Sequence, residues 1–235
     1  MSFLERLARR DEDARAVGRH GLLLLSLIFL LVSLPILRFL PGGGLRFSIL
    51  FYIVLSAAVY ANSTERWTLV VTALAAVGAL ASGTTAQATG SMTAQIVSDA
   101  LGFGLLGFTT FFILNTLVHT QRVSRDTVVG GVCVYLLIGL FFAMGYILVI
   151  DLGLGALHEG GAAISRMSSD VSSFRSTVLY FSLVTLTTLG YGDVTPVGEM
   201  TRMMASIEAL IGQLFVAIFI ARLIAMRGDH SNATP

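Results

Sequence analysis

The segment Thr187-Thr-Leu-Gly-Tyr-Gly-Asp193 has residue types and a spacing that could do chemistry. That chemistry is coordination rather than bond making. Gly190 and Gly192, one residue apart, are poor helix formers and reach backbone dihedrals that other residues avoid. Successive carbonyls can then turn to one side, and a row of carbonyl oxygens can replace the water that a cation sheds. Glu208 is a second candidate, because a charge inside an apolar run is costly and marks a functional position. Other constellations do not form. His20, His119, His158 and His230 are scattered, and the single Cys133 sits in an apolar run, so neither a metal site nor a disulfide framework is indicated. No nucleophile–base pair is present. Gly102-Phe-Gly-Leu-Leu-Gly107 matches a dinucleotide-binding pattern but lies inside an apolar span with no strand before it, and reads as small residues on a packing face. His158 beside Glu159 is a candidate pH sensor.

The elements that must position these residues are membrane helices. The chain has 235 residues, of which 55% are hydrophobic and only 12% charged. A soluble domain would carry roughly twice that charged share. A net charge of +1 supplies no field to attract nucleic acid. Six apolar runs stand out, at 21–40, 47–61, 67–82, 96–120, 129–150 and 203–226. Crossing a hydrocarbon core takes about 20 such residues, so the second run is short. The linker Asn62-Ser-Thr-Glu-Arg66 predicts a tight hairpin between runs two and three. No run alternates as a barrel strand would, so helices are the expected backbone solution.

Arginines fix an orientation, and the chain has no lysine. Arg6, Arg9, Arg10, Arg15, Arg19, Arg66, Arg122, Arg125 and Arg227 fall on one side of a six-span arrangement, which places both termini in the cytoplasm. Opposite them lie an uncharged 83–95 loop and a 151–170 loop holding Asp151, Glu159, Asp170 and one Arg166. Arg38 and Arg46 depart mildly from the rule. In this topology Asn62-Ser-Thr, a glycosylation pattern, lies inside. Residues 1–40 resemble a signal peptide in their basic start and apolar run, but no small-x-small cleavage site follows. Residues 151–202 do not read as a simple loop. A Gly-rich polar stretch leads into a modest helix at 171–187, too short and polar to span, then Gly190-Tyr-Gly192 and an extended return through Asp193-Val-Thr-Pro196. Such a re-entrant segment is tolerated at membrane depth only if it is buried in protein or lines a watery path.

Thr188-Leu189-Gly190-Tyr191-Gly192, followed by Asp193, resembles the signature of the potassium-channel family, Thr-Val-Gly-Tyr-Gly. The resemblance covers 180–196 and, more loosely, 129–226. It implies ion sites built by the Thr188, Leu189, Gly190 and Tyr191 carbonyls and the Thr188 hydroxyl, with Gly192 completing the filter. Leu189 and Tyr191 are expected to point away and wedge the strand against its pore helix. Four chains are needed around one axis, so the resemblance implies a cyclic homotetramer. The family usually has tryptophans where Tyr180 and Phe181 stand, and some members have a buried acid at Val184. Here Tyr180 could reach Asp193, Phe181 cannot donate to the Tyr191 hydroxyl, and Thr185 is the remaining candidate partner. Thr187 completes the filter support. Gly212, twenty residues after Gly192, matches a family glycine that lets the inner helix bend; close helix packing explains it equally well. Gln213, Val216, Ile220 and Ile224 are expected to form a helical stripe toward a cavity, with an apolar gate near Ile220–Ile224; helix packing explains the same stripe equally well. Glu208 reads as a group neutral or hydrogen-bonded behind the filter.

The sequence is therefore read as an all-α membrane protein with six transmembrane helices and a pore helix and filter between the last two. Its parts are an N-terminal segment (1–20), a four-helix domain (21–128), a pore domain (129–227) and a tail (228–235). The expected function is passive, potassium-selective conduction by a homotetramer in a prokaryotic cell membrane. The partners are lipids and K+, the filter is the only metal site, and no cofactor or enzymatic activity is expected. The fourth run has no arginine array, so little voltage dependence is expected. A nonselective cation channel and a non-conducting sensor on a channel scaffold are the alternatives.

Overall fold

The computed structural model describes residues 20–33, 36, 46, 49–54, 66–120, 125–165 and 171–231. Residues 1–19 of the expected N-terminal segment, the 62–65 turn, Arg122 and the last four residues lie outside them. Helix α1 is His20–Ser33 and α2 covers 49–54. Then come α3 (Arg66–Thr89), α4 (Met92–His119), α5 (Arg125–Asp151), β1 (Ala156–Glu159), β2 (Ala162–Ile164), α6 (Val171–Leu186), β3 (Val194–Val197) and α7 (Glu199–Ser231). Among the described helices, three are long and apolar enough to cross a membrane: α4, α5 and α7. The chain is an integral membrane protein.

Two expectations from sequence change. The 83–95 stretch is not a loop. Helix α3 runs on to Thr89, and only Gly90 and Ser91 separate it from α4. Gly90 takes a left-handed φ of 68° and its N–H reaches the Ala86 carbonyl, while the Ser91 hydroxyl accepts from the Ala94 N–H. These are a C-terminal and an N-terminal helix cap placed back to back. The polar residues that suggested a loop are absorbed by the helix itself. Thr84, Thr85 and Thr89 donate to the carbonyls of Ala81, Ser82 and Thr85.

The Gly-rich stretch after α5 also carries structure, in a fold otherwise helical. β1 and β2 form an antiparallel hairpin with Glu159 opposite Ala162. Its two-residue turn is Gly160-Gly161, both at positive φ, as a type I′ turn requires. β1 pairs on its other side with β3, giving the order β2-β1-β3. The register sets Glu159 opposite Val194 and His158 opposite Thr195.

Helix α5 is the centre of the molecule. Of its most apolar stretch, 72% is buried within one chain, against 11% for α7. Leu23, Leu27 and Leu30 of α1, Phe51 and Tyr52 of α2, and Leu105, Leu106 and Ile113 of α4 pack with Val134, Leu137 and Tyr146 of α5 and Phe174 and Val178 of α6. Gly102 faces Tyr52 and Met144, and Gly107 faces Phe141, so these two glycines serve helix packing; Gly104 faces open space.

Candidate functional site

The C-terminal turn of α6 sets the backbone of the residues after it. The Leu189 N–H reaches the Val184 carbonyl and the Thr188 N–H reaches the Thr185 carbonyl, both at 2.9 Å. This pair of bonds is a Schellman motif, and its residue in the left-handed region is Thr188, with φ 58°. Glycine usually fills that position. Among the described residues, Thr188 is the only non-glycine with positive φ. A threonine held there costs about 1–3 kcal/mol, and such strain concentrates where backbone geometry matters.

The same geometry repeats. Thr188, Gly190 and Gly192 have φ of 58°, 57° and 79°, while Leu189 and Tyr191 between them do not turn positive. Alternation of this kind brings consecutive peptide groups to face one way, the arrangement by which backbone dipoles gather around an ion. All residues from Thr187 to Asp193 are exposed in a single chain. Leu189 and Tyr191 are 55% and 67% exposed, so they do not wedge against their own pore helix. Among the described residues, the Tyr191 hydroxyl has no hydrogen-bond partner within the chain, Thr185 included.

The outer end is tied. The Tyr180 hydroxyl donates to Asp193 Oδ2 at 2.7 Å. That bond pushes the Tyr180 phenol up to about 12. It also holds the Asp193 carboxyl below its usual range, assisted by the Val194 N–H. Immediately beyond, β3 is paired to β1, so the strand leaving the segment is fixed to the outer hairpin. His158 lies there, across from Thr195. Phe181 is buried edge-on to Tyr146, with ring centroids 5.1 Å apart, and Val184 is half-buried.

The inner end meets α7. Gln213 Nε2 donates to the Thr188 hydroxyl at 3.0 Å. Val216, Ile220 and Ile224 continue from Gln213 at helical spacing, and all are exposed in one chain. Glu208 and Gly212 do not share that stripe. Glu208 is fully buried and meets Ser182 and Tyr146. Gly212 lies in an uninterrupted helix with its open side against the Leu186 carbonyl, a position that a Cβ would overlap. The carbonyl of Leu186 also accepts from the Tyr135 hydroxyl at 3.2 Å.

Two side chains of this region, Arg175 and Arg222, reach α4, and sequence reading missed both. Arg175 on α6 donates to Asp99 Oδ1 on α4 at 2.7 Å, and both are buried. Gln95 Nε2 donates to the other oxygen of Asp99. Arg222 on α7 donates to the carbonyls of Leu117, Val118 and Thr120 at 2.6, 2.7 and 2.6 Å. It thereby caps the C-terminal end of α4, where a cation is favoured. A lone acid near the start of an apolar run and a lone arginine in the last one were the available signals. Neither names its partner.

A family model described as an ion channel matches residues 152–227, from just before the outer hairpin to within the last turns of α7. The chain is 34% identical over 125 residues to protein LctB of Bacillus caldotenax, covering 51% of this chain and 87% of that protein. It is 32% identical over 87 residues to two pore potassium channel a of Oryza sativa subsp. japonica, covering 35% of this chain and 24% of that protein. It is 34% identical over 80 residues to two-pore potassium channel 2 of Arabidopsis thaliana, covering 33% of this chain and 17% of that protein.

Proposed function

The chain belongs to the potassium channel family, it is a channel protein and not an enzyme, and on that premise we propose that four copies surround one axis and conduct K+ passively. Each copy contributes one filter strand, Thr188 to Gly192. The observation that carries this reading is the alternating positive φ at Thr188, Gly190 and Gly192, directly after a short helix and between two spanning helices. Rings of the Thr188, Leu189, Gly190 and Tyr191 carbonyls, with the Thr188 hydroxyl innermost, then replace the hydration shell of K+. The exposed faces of Leu189, Tyr191 and α7 are the surfaces that neighbouring copies cover in this assembly.

Helix α6 directs its C-terminal end toward the inner mouth, where its partial negative charge favours a dehydrating cation. The stripe Gln213, Val216, Ile220 and Ile224 lines the cavity, and the Ile220–Ile224 ring gates by dewetting. The six-span arrangement with both termini in the cytoplasm rests on the arginine distribution, and the prokaryotic source on composition alone, with no lysine beside 15 arginines. Helix α4 contains no arginine or lysine, which supports weak intrinsic voltage dependence.

Ion flux into liposomes holding the purified protein tests the reading, with K+ and Na+ gradients compared and Gly190→Ala as control. K+-selective flux lost in the control is the expected result. Equal Na+ and K+ flux makes the protein a nonselective cation channel. No flux, with a tetramer whose stability ignores K+, makes it a non-conducting scaffold.

A further inference from the structure

Glu208 is fully buried on α7, and its carboxyl group meets two hydroxyls from neighbouring helices. The Tyr146 hydroxyl of α5 lies 2.8 Å from Oε2. The Ser182 hydroxyl of α6 lies 2.5 Å from Oε1 and 2.7 Å from the Gly139 carbonyl oxygen of α5. These are three oxygen–oxygen contacts at hydrogen-bonding distance, and each requires a hydrogen between its atoms. The two hydroxyls supply one hydrogen apiece. Tyr146 gives its hydrogen to Oε2. Ser182 can serve Gly139 or Glu208, but not both, and a backbone carbonyl has none to give. The third hydrogen must belong to Glu208. Among the described residues, neither ion pair includes Glu208, so no cation compensates an ionised carboxylate there.

We infer that Glu208 is a neutral carboxylic acid and a positioning residue of the pore, whose proton, passed on through the Ser182 hydroxyl to the Gly139 carbonyl, fastens α7 to both α6 and α5. Oε1–H donates to Ser182, Ser182 donates to Gly139, and Tyr146 donates to Oε2, which leaves every hydroxyl hydrogen in the cluster in use. The tie sits one helical turn before the Gly212–Leu186 contact, and Ser182 precedes Thr188 by six residues. It therefore sets how α7 seats behind the filter. The titratable groups that face Glu208 are Tyr146 and, farther off, Tyr135, both from α5; α6 contributes only Ser182, which does not titrate in the working range.

The consequence for flux rests on the channel reading above, whereas the protonation does not. Infrared spectra of the full chain in lipid nanodiscs at neutral pH test the proton directly. A protonated-carboxyl carbonyl band is expected in the parent, lost in Glu208→Gln and kept in Asp193→Asn. The Gln side chain can donate to Ser182 and accept from Tyr146, so its K+ flux should stay within about twofold of the parent, while Glu208→Leu should lose about tenfold or more. Ser182→Ala, which removes the relay without adding bulk, should fall between them and serves if the Leu variant does not assemble. A band that survives in Glu208→Gln overturns the inference. So does a folded Gln variant that loses flux as the Leu variant does. If the parent itself carries no flux, the channel reading falls, and the band alone decides for or against the neutral acid.

Discussion

The Tyr180 hydroxyl ties the end of the proposed filter back to α6 by donating to Asp193 Oδ2 at 2.7 Å. Each partner shifts the other in a way that sets a pH window. Asp193 is held below its usual range, so its contribution is complete above the pH at which a free aspartate titrates and is lost as pH falls through the lowered value. Tyr180 is raised to about 12, so its contribution is complete below the free phenol value of about 10 and is lost as pH rises through about 12. The K+-dependent thermal stability of the protein should therefore hold a plateau across neutral pH and fall at both extremes. Tyr180→Phe should flatten both limbs, and Asp193→Asn should remove the acid limb. A Tyr180→Phe profile superimposable on the parent would show that the bond contributes nothing.

Gly212 separates two roles by the sign of one substitution. If the glycine only permits bending, alanine should stiffen and stabilise α7 by about 1 kcal/mol. The structure sets it against the Leu186 carbonyl and side chain, where an added Cβ has no room. Gly212→Ala is therefore expected to destabilise by about 1–3 kcal/mol per chain through overpacking. A thermal melt in detergent reads the sign, and a rise in Tm would favour the bend.

Arg222 holds three carbonyls at the end of α4 with one fork of donors. Hydrogen bonds from a charged donor contribute about 1.5–3 kcal/mol. Lysine offers the charge without the planar fork. The expected order of thermal stability is parent, then Arg222→Lys, then Arg222→Gln. Equal melting temperatures for all three would remove Arg222 from the account.

The buried pair of Asp99 and Arg175 joins α4 to the pore helix. Removing one partner strands a charge and should cost about 3–5 kcal/mol. The double substitution Asp99→Asn with Arg175→Met should be milder than the sum of its singles. A double-mutant cycle on urea or thermal unfolding measures this coupling, and simple additivity would argue against it.

Much of the backbone from Val171 to Val197 was legible because its punctuation is local. The expected helix at 171–187 and the observed α6, Val171–Leu186, nearly coincide, since Gly190 and Gly192 stop it within a few residues. The 83–95 stretch misled because Thr84, Thr85 and Thr89 look like loop residues and are helix residues bonded to their own turns. The outer hairpin was present in the sequence as Gly160-Gly161 between short segments, a two-residue turn signal that a membrane reading passed over. The contacts made by Glu208, Arg222 and Asp99 could not be read, because each partner lies on another helix and no spacing rule connects them.

Thr188 belongs to two elements at once: it closes the last turn of α6 and opens the proposed filter. The ladder of carbonyls is thus counted off from the helix end, like marks on a ruler fixed at its zero. Shifting the filter by one residue would require unwinding the helix that precedes it. Adding or deleting a residue between Leu186 and Thr188 would move every oxygen at once rather than one site, so in the proposed channel the spacing of the conduction path is inherited from a helix that need never touch an ion.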